Sequence, residues 1–305
     1  MNVNYFSKIR ILDGGMGQAL LAKGLKAKGS LWSASALIDE KYHQMVIDSH
    51  LDYIESGADV IVTSNFSARK KRIIQNNVEK YFKYANEKAG ELALKAKQIS
   101  KKNILIAGSL PAQNDTYVPD KRDKNIIKNN FSEQAILLKP FVDFFYLDVL
   151  SSIKEIEIAL SVVEEINLPV LVGIHITKNG KLASGETITE VVQKCKNSNW
   201  LGIIAACVSP EIIENTVNEI KTLGLPFGFK ANLWKEEPLP VGKIVKINED
   251  GYGENPADVL GSRNEITGEI FCNFSKRMID KGATIIGGCC ETKPAHIEKI
   301  SKLKN

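Results

Sequence analysis

Residues Ile285-Ile286-Gly287-Gly288-Cys289-Cys290 set two branched apolar side chains, two glycines and two adjacent thiols in a row. Branched residues favour a buried strand, and the glycines free the backbone to turn at its end. The thiols therefore stand at a strand tip. Adjacent cysteines make strained disulfide partners, whereas two thiolates aimed at one point suit a soft metal such as zinc. A pair supplies only two ligands, so a metal site needs a third thiol. Cys207, closing Ile203-Ile204-Ala205-Ala206-Cys207-Val208-Ser209-Pro210, has the same setting: an apolar strand ending in Cys before a helix start. A three-thiolate zinc site is the chemistry expected of this set, with packed or redox-active thiols as the alternatives.

Working back through the chain, the same strand-then-helix rhythm recurs. Strands are expected at Arg10–Asp13, Asp59–Thr63, Ile104–Ser109, Val142–Asp148, Pro169–His175, Leu201–Ala206, Pro226–Ala231 and Ala283–Gly287. Between them lie helical patterns, among them Asp39–Ser56, Asn76–Ser100 and the stripe Ile153, Ile156, Leu160, Val163. Eight strands alternating with helices predict an α/β fold of the (β/α)8 TIM-barrel type, a single domain over 1–305. The 305 residues suit one such barrel. Pro111–Asn130 has turn composition and is expected as a long surface loop, with a lid over a site as its functional alternative. Lys235–Gly268 breaks the rhythm and is expected to be an irregular insertion.

Strand C-terminal tips converge at one face of such a barrel, where active sites lie. Asp13, Thr63, Ser109, Asp148, His175, Cys207, Asn232, Cys289 and Cys290 all fall at tips. Asp13 and Asp148 suit a substrate ammonium group, or else cap loop amides. Trp32 and Phe66 offer aromatic faces to a sulfonium or ammonium donor, or pack the core. His175 is expected to support or pack, His43, His50 and His296 to sit on helices, and Cys195 and Cys272 to be packed thiols. Gly14-Gly15-Met16-Gly17 lacks both the dinucleotide fingerprint and the Walker pattern.

Composition narrows the rest. The hydrophobic fraction of 44% and charged fraction of 25% are those of an ordinary globular protein. A net charge of +4 against 40 basic and 36 acidic side chains does not mark a nucleic-acid partner. The basic run Arg69-Lys70-Lys71-Arg72 reads as a solvated helix face. No apolar stretch approaches the ~18 residues of a membrane span. Five cysteines with no secretory pattern at the N-terminus predict a reducing, cytoplasmic setting.

Three thiolates leave zinc one open position, as catalytic sites do. A thiol entering there loses its proton and becomes a nucleophile, and methyl transfer is the simplest reaction that uses it. Here the residues resemble a family. Asp13-Gly14-Gly15-Met16-Gly17, Cys207 and Gly287-Gly288-Cys289-Cys290-Glu291-Thr292 with Pro294-Ala295-His296-Ile297 resemble the homocysteine S-methyltransferases, over nearly the whole chain. The resemblance implies a zinc-dependent barrel that methylates homocysteine to methionine, with Cys207, Cys289 and Cys290 as ligands. Its partners are then a small-molecule thiol acceptor and a methyl donor. Leu31-Trp32-Ser33-Ala34 and His50-Leu51-Asp52-Tyr53 look most like members using S-methylmethionine or S-adenosylmethionine, with betaine, dimethylsulfoniopropionate and methylfolate as alternative donors. Three positions depart from the family pattern. Asp148-Val149 stands for a Glu-Thr pair whose Glu holds the homocysteine amine, Ala206 for an Asn, and Lys230-Ala231-Asn232 for a Pro-Asn motif. A different thiol acceptor is the alternative these imply.

Overall fold

The computed structural model describes residues 3–196, 199–238 and 246–304. Eight parallel strands form one sheet: β1 (Arg10–Ile11), β2 (Val60–Val62), β3 (Leu105–Pro111), β4 (Phe144–Leu150), β5 (Val170–Ile174), β6 (Trp200–Val208), β7 (Phe227–Ala231) and β8 (Ile285–Gly288). From β2 to β8 each strand pairs with its sequence neighbour, and β1 pairs with β8. A parallel bridge from Leu12 to Val60 brings the first strand to the second. The expected (β/α)8 barrel is the observed fold.

The helices are α1 (Met16–Ala22), α2 (Ser35–Ile38), α3 (His43–Glu55), α4 (Lys70–Gln75), α5 (Phe82–Ser100), α6 (Lys124–Leu138), α7 (Ile153–Ile166), α8 (Ile188–Cys195), α9 (Pro210–Ile220), α10 (Ala257–Leu260), α11 (Gly268–Asp280) and α12 (Pro294–Ser301). Local signals explain their ends. Ser152 caps α7, and Asn167 stops it in the left-handed conformation. Thr187 and Glu190 form a capping box on α8. The stripe Ile156, Ala159, Leu160, Val163 of α7 is buried against the sheet. Each large aliphatic side chain buried in this way contributes about 1.5–3 kcal/mol. Inside the barrel, Leu12, Val60, Tyr146, Leu171, Ile204 and Ile285 form a separate cluster. Phe6, from the 3-10 turn Val3–Ser7, meets Phe144 edge-on at 5.8 Å and closes the end where the strands begin.

Two expectations change. The stretch expected as a loop to Asn130 becomes helix at Lys124. Asp123 accepts the Asn125 N–H at 2.8 Å, and Ile127, Phe131, Gln134 and Leu138 face inward. Its Lys- and Asn-rich outer face concealed the stripe. The long helix begins at Phe82 rather than Asn76, because Asn77 adopts a positive φ of 53° and a 3-10 turn intervenes at Glu79–Tyr81. Within the stretch expected as an insertion, residues 239–245 lie outside the described residues. The remainder carries α10 and antiparallel bridges from Trp234 to Ser262 and Ile247 to Gly253.

Candidate active site

Two backbone irregularities build the centre of the mouth. β6 slips register between Ala206 and Val208, and the residue at the slip is Cys207, with a φ of 54°. β4 slips between Leu147 and Leu150, around Val149 at φ 66°. A bulge re-aims one side chain, and positive φ in a β-branched residue is strained. Such strain persists only where the surroundings over-determine it, as they do at functional sites.

The Cys289–Cys290 arm is fixed by backbone bonds. The Cys289 N–H donates to Ala231 O at 2.7 Å, and Cys290 O accepts the Leu233 N–H at 3.0 Å. Gly288 has no room for a side chain, since a Cβ there would lie 2.1 Å from Thr292 Oγ1. Thr292 Oγ1 in turn donates to Cys289 O at 2.6 Å. The result is a compact thiol cluster. Cys207 Sγ lies 3.8 Å from Cys290 Sγ, and Cys289 Sγ lies 3.9 Å from Cys290 Sγ. All three sulfurs fall within 4.8 Å of one another. Sulfurs held about 2.3 Å from a tetrahedral zinc stand about 3.8 Å apart, so the donor set fits that ion.

Residues around Cys207 hold it in place. Asn232 Nδ2 donates to Cys207 O at 2.7 Å and comes within 3.9 Å of its sulfur. Tyr117 places its hydroxyl 3.3 Å from the same sulfur and meets His175 edge-on at 4.8 Å. Burial opposes a Cys207 thiolate, but hydrogen bonds from Cys289, Cys290 and Tyr117 outweigh it and hold that thiol well below its usual range. The hydrogen bond to Cys207 pushes Cys289 and Cys290 up.

The three thiols open on a cavity of about 120 Å³ that Asp13, Trp32, Thr63, Phe66 and Asp148 also line. Ser109 stands behind Asp148, its Oγ donating to Asp148 Oδ2 at 2.8 Å. Burial, and next the charge of Cys289, push the Asp148 carboxyl up to about 7. Thr63 accepts the Ser109 N–H at 2.9 Å and donates to Asn65 Oδ1 at 2.6 Å. Phe66 already carries the Arg69 guanidinium at 5.2 Å from its ring centroid, and Trp32 and Tyr117 also line this cavity. Asn232 borders a second cavity, of about 240 Å³, on the far side of Tyr117 together with His175 and Trp234. His175 is buried, and burial lowers its pKa to about 4. His43 and His50 lie on α3 and His296 on α12, while Cys195 is buried and Cys272 half-buried on helices.

Four residues of interest escaped the sequence. Tyr117 was hidden in a polar loop. Lys230 is buried and ion-paired to Asp13, and a lysine at the end of the apolar run Phe227-Gly228-Phe229 was its signal. Arg69 and Arg72 belong to the run expected as a solvated face, yet both are buried. Arg69 donates to Ala112 O at 2.7 Å and Thr116 Oγ1 at 2.9 Å, anchoring the segment before Tyr117.

A profile described as homocysteine S-methyltransferase matches residues 10–303. The chain belongs to that family. It is accordingly an S-methyltransferase by membership. Homocysteine S-methyltransferase 1 of Zea mays is 24% identical over 322 residues, covering 96% of this chain and 93% of that protein. Homocysteine S-methyltransferase 2 of Saccharomyces cerevisiae is 24% identical, covering 96% and 93%. A selenocysteine methyltransferase of Astragalus bisulcatus is 22% identical, covering 96% and 91%. Among solved structures, the metallated form of the homocysteine methyltransferase MmuM from Escherichia coli superposes with a TM-score of 0.78 at 19% identity, over 99% of this chain and 100% of that one. Among the described residues, no helix is long and apolar enough to cross a membrane.

Proposed function

We propose that this family member transfers a methyl group from a cationic donor, S-methylmethionine or S-adenosylmethionine, to the thiol of homocysteine, giving methionine, with zinc on Cys207, Cys289 and Cys290. The observation that carries it is the approach of three thiol sulfurs, all within 4.8 Å, at the mouth of a barrel. Zinc held by them stabilises an incoming thiolate, supplying a nucleophile at neutral pH.

The chain's own residues do the rest. Asp148, held by Ser109, takes the acceptor's ammonium, and Trp32 walls the cavity where the donor's methyl group must lie. Tyr117 and Asn232 keep the Cys207 sulfur aimed at that cavity. The acceptor sulfur bonds to the methyl carbon as the donor's sulfur–methyl bond breaks. The thiol proton passes to solvent and the donor leaves uncharged at sulfur.

Zinc content and methionine formation from homocysteine test the proposal, with S-methylmethionine, S-adenosylmethionine, betaine, dimethylsulfoniopropionate and methylfolate each offered as donor. About one zinc per chain and turnover on a sulfonium donor are expected, and Cys207→Ser should remove both. Freshly reduced protein that takes up no zinc would overturn the metal assignment. Zinc uptake with no turnover on any donor would overturn the acceptor.

A further inference from the structure

Beside the three thiols sits an ammonium group that methyl transfer does not itself require. Lys230 of β7 lies in register with Gly287 of β8 and Ala206 of β6, at the level of the thiol-bearing tips. Its Nζ donates to Asp13 O at 3.2 Å and pairs with Asp13 Oδ1. Asp13 Oδ2 accepts the Val62 N–H at 2.8 Å. Both side chains are buried, exposing 7% and 2%. Asp13 is thus matched from within the chain at both oxygens, and among the described residues lining this cavity an acceptor's ammonium finds only Asp148 as a carboxylate not already ion-paired.

The lysine itself has more to offer. An ammonium carries three N–H donors, and Asp13 takes two of them. Lys230 lines the same cavity as the thiols, Asp148 and Trp32. As a device for stability alone the pair would be a poor one, because a buried ion pair is often no better than apolar residues of the same volume. Set into the cavity wall, it supplies a fixed positive charge to the cavity that Asp148 and the thiol cluster also line.

We propose that Lys230 determines acceptor specificity: its ammonium binds the carboxylate of an α-amino-acid thiol whose own ammonium is held by Asp148. The assignment rests on the proposed acceptor chemistry and deepens it. Three points then fix the acceptor: sulfur at the cysteine cluster, ammonium at Asp148, carboxylate at Lys230. A thiol amine lacking the carboxylate satisfies two points and leaves Lys230 bonded to Asp13 alone.

The test compares L-methionine with methylthiopropylamine, which lacks only the carboxylate, by calorimetric binding to the full chain with and without zinc. Turnover of homocysteine and mercaptopropylamine is measured alongside. Wild-type protein should favour the carboxylate-bearing member of each pair roughly 10- to 100-fold. Lys230→Met should erase that preference. Because Lys230→Met leaves Asp13 buried and unpaired, the double variant Asp13→Asn/Lys230→Met is tested too, and it should lack the preference while keeping its circular dichroism. A folded double variant that still favours the carboxylate would overturn the role given to Lys230, with homocysteine turnover by the wild type leaving the function standing. Wild-type protein that neither binds methionine nor turns over homocysteine would overturn the proposed acceptor and this assignment together.

Discussion

The hydroxyl of Tyr117 lies 3.3 Å from the sulfur of Cys207, so a loop residue touches the thiol that the surrounding hydrogen bonds hold below its usual range. Tyr117 stands at φ 70°, between the two cavities, and is positioned by neighbours rather than by its own strand or helix. Tyr117→Phe keeps the ring and its edge contact with His175 but loses the hydroxyl. The Cys207 thiol of metal-free protein should then ionise at higher pH, read from thiolate absorbance in the ultraviolet. An unchanged titration would show that the hydroxyl does not act on the sulfur.

Arg69 holds that loop from beneath through Ala112 O and Thr116 Oγ1. Arg69→Met leaves a buried carbonyl and a hydroxyl without their donor, which costs about 1–3 kcal/mol per group. We expect a lower melting temperature and faster hydrogen exchange across residues 112–117, with exchange at the α7 core unaltered. Equal acceleration everywhere would mean that Arg69 supports the whole barrel and not the loop.

Asn232 acts on Cys207 through the backbone, donating to its carbonyl at 2.7 Å. Removing a partner that orients a metal ligand commonly costs 10–100-fold in affinity, and about that loss is expected for Asn232→Ala. Competition against a chromogenic chelator measures it. Asn232→Ala protein that holds zinc as tightly as wild type would place the residue outside the metal's support.

The barrel was legible because its strands are continuous apolar runs closed by tip residues, a pattern that local chemistry alone produces. The thiols were legible for the same reason: Cys289 and Cys290 end one run and Cys207 ends another. Tyr117 was not, since a tyrosine in Asp115-Thr116-Tyr117-Val118 has no periodicity that tells which way it faces. Arg69 and Lys230 failed differently. Charged residues are read as solvated unless a partner is known, and their partners, Ala112 and Asp13, lie far away in the sequence. The bulges at Val149 and Cys207 were equally hidden, because a register slip depends on the neighbouring strand.

Glu155 gives a pH dependence that lies outside the site. It lies in the first turn of α7, buried, with Ser152 Oγ donating to Oε2 at 2.6 Å. Burial pushes its carboxyl from 4.5 up to about 7. Between those values the folded chain keeps the proton while the unfolded chain releases it. Stability from this group is therefore complete below pH about 4.5 and is lost as pH rises through about 7. The loss amounts to roughly 3 kcal/mol for a shift of this size. Glu155→Gln keeps the shape and the bond with Ser152 but cannot ionise. Denaturant unfolding at a series of pH values should show wild type weakening relative to Glu155→Gln across that window, with the two curves parallel above it. Parallel curves throughout would mean that the carboxylate is accommodated in the folded state, and that burial does not hold its proton.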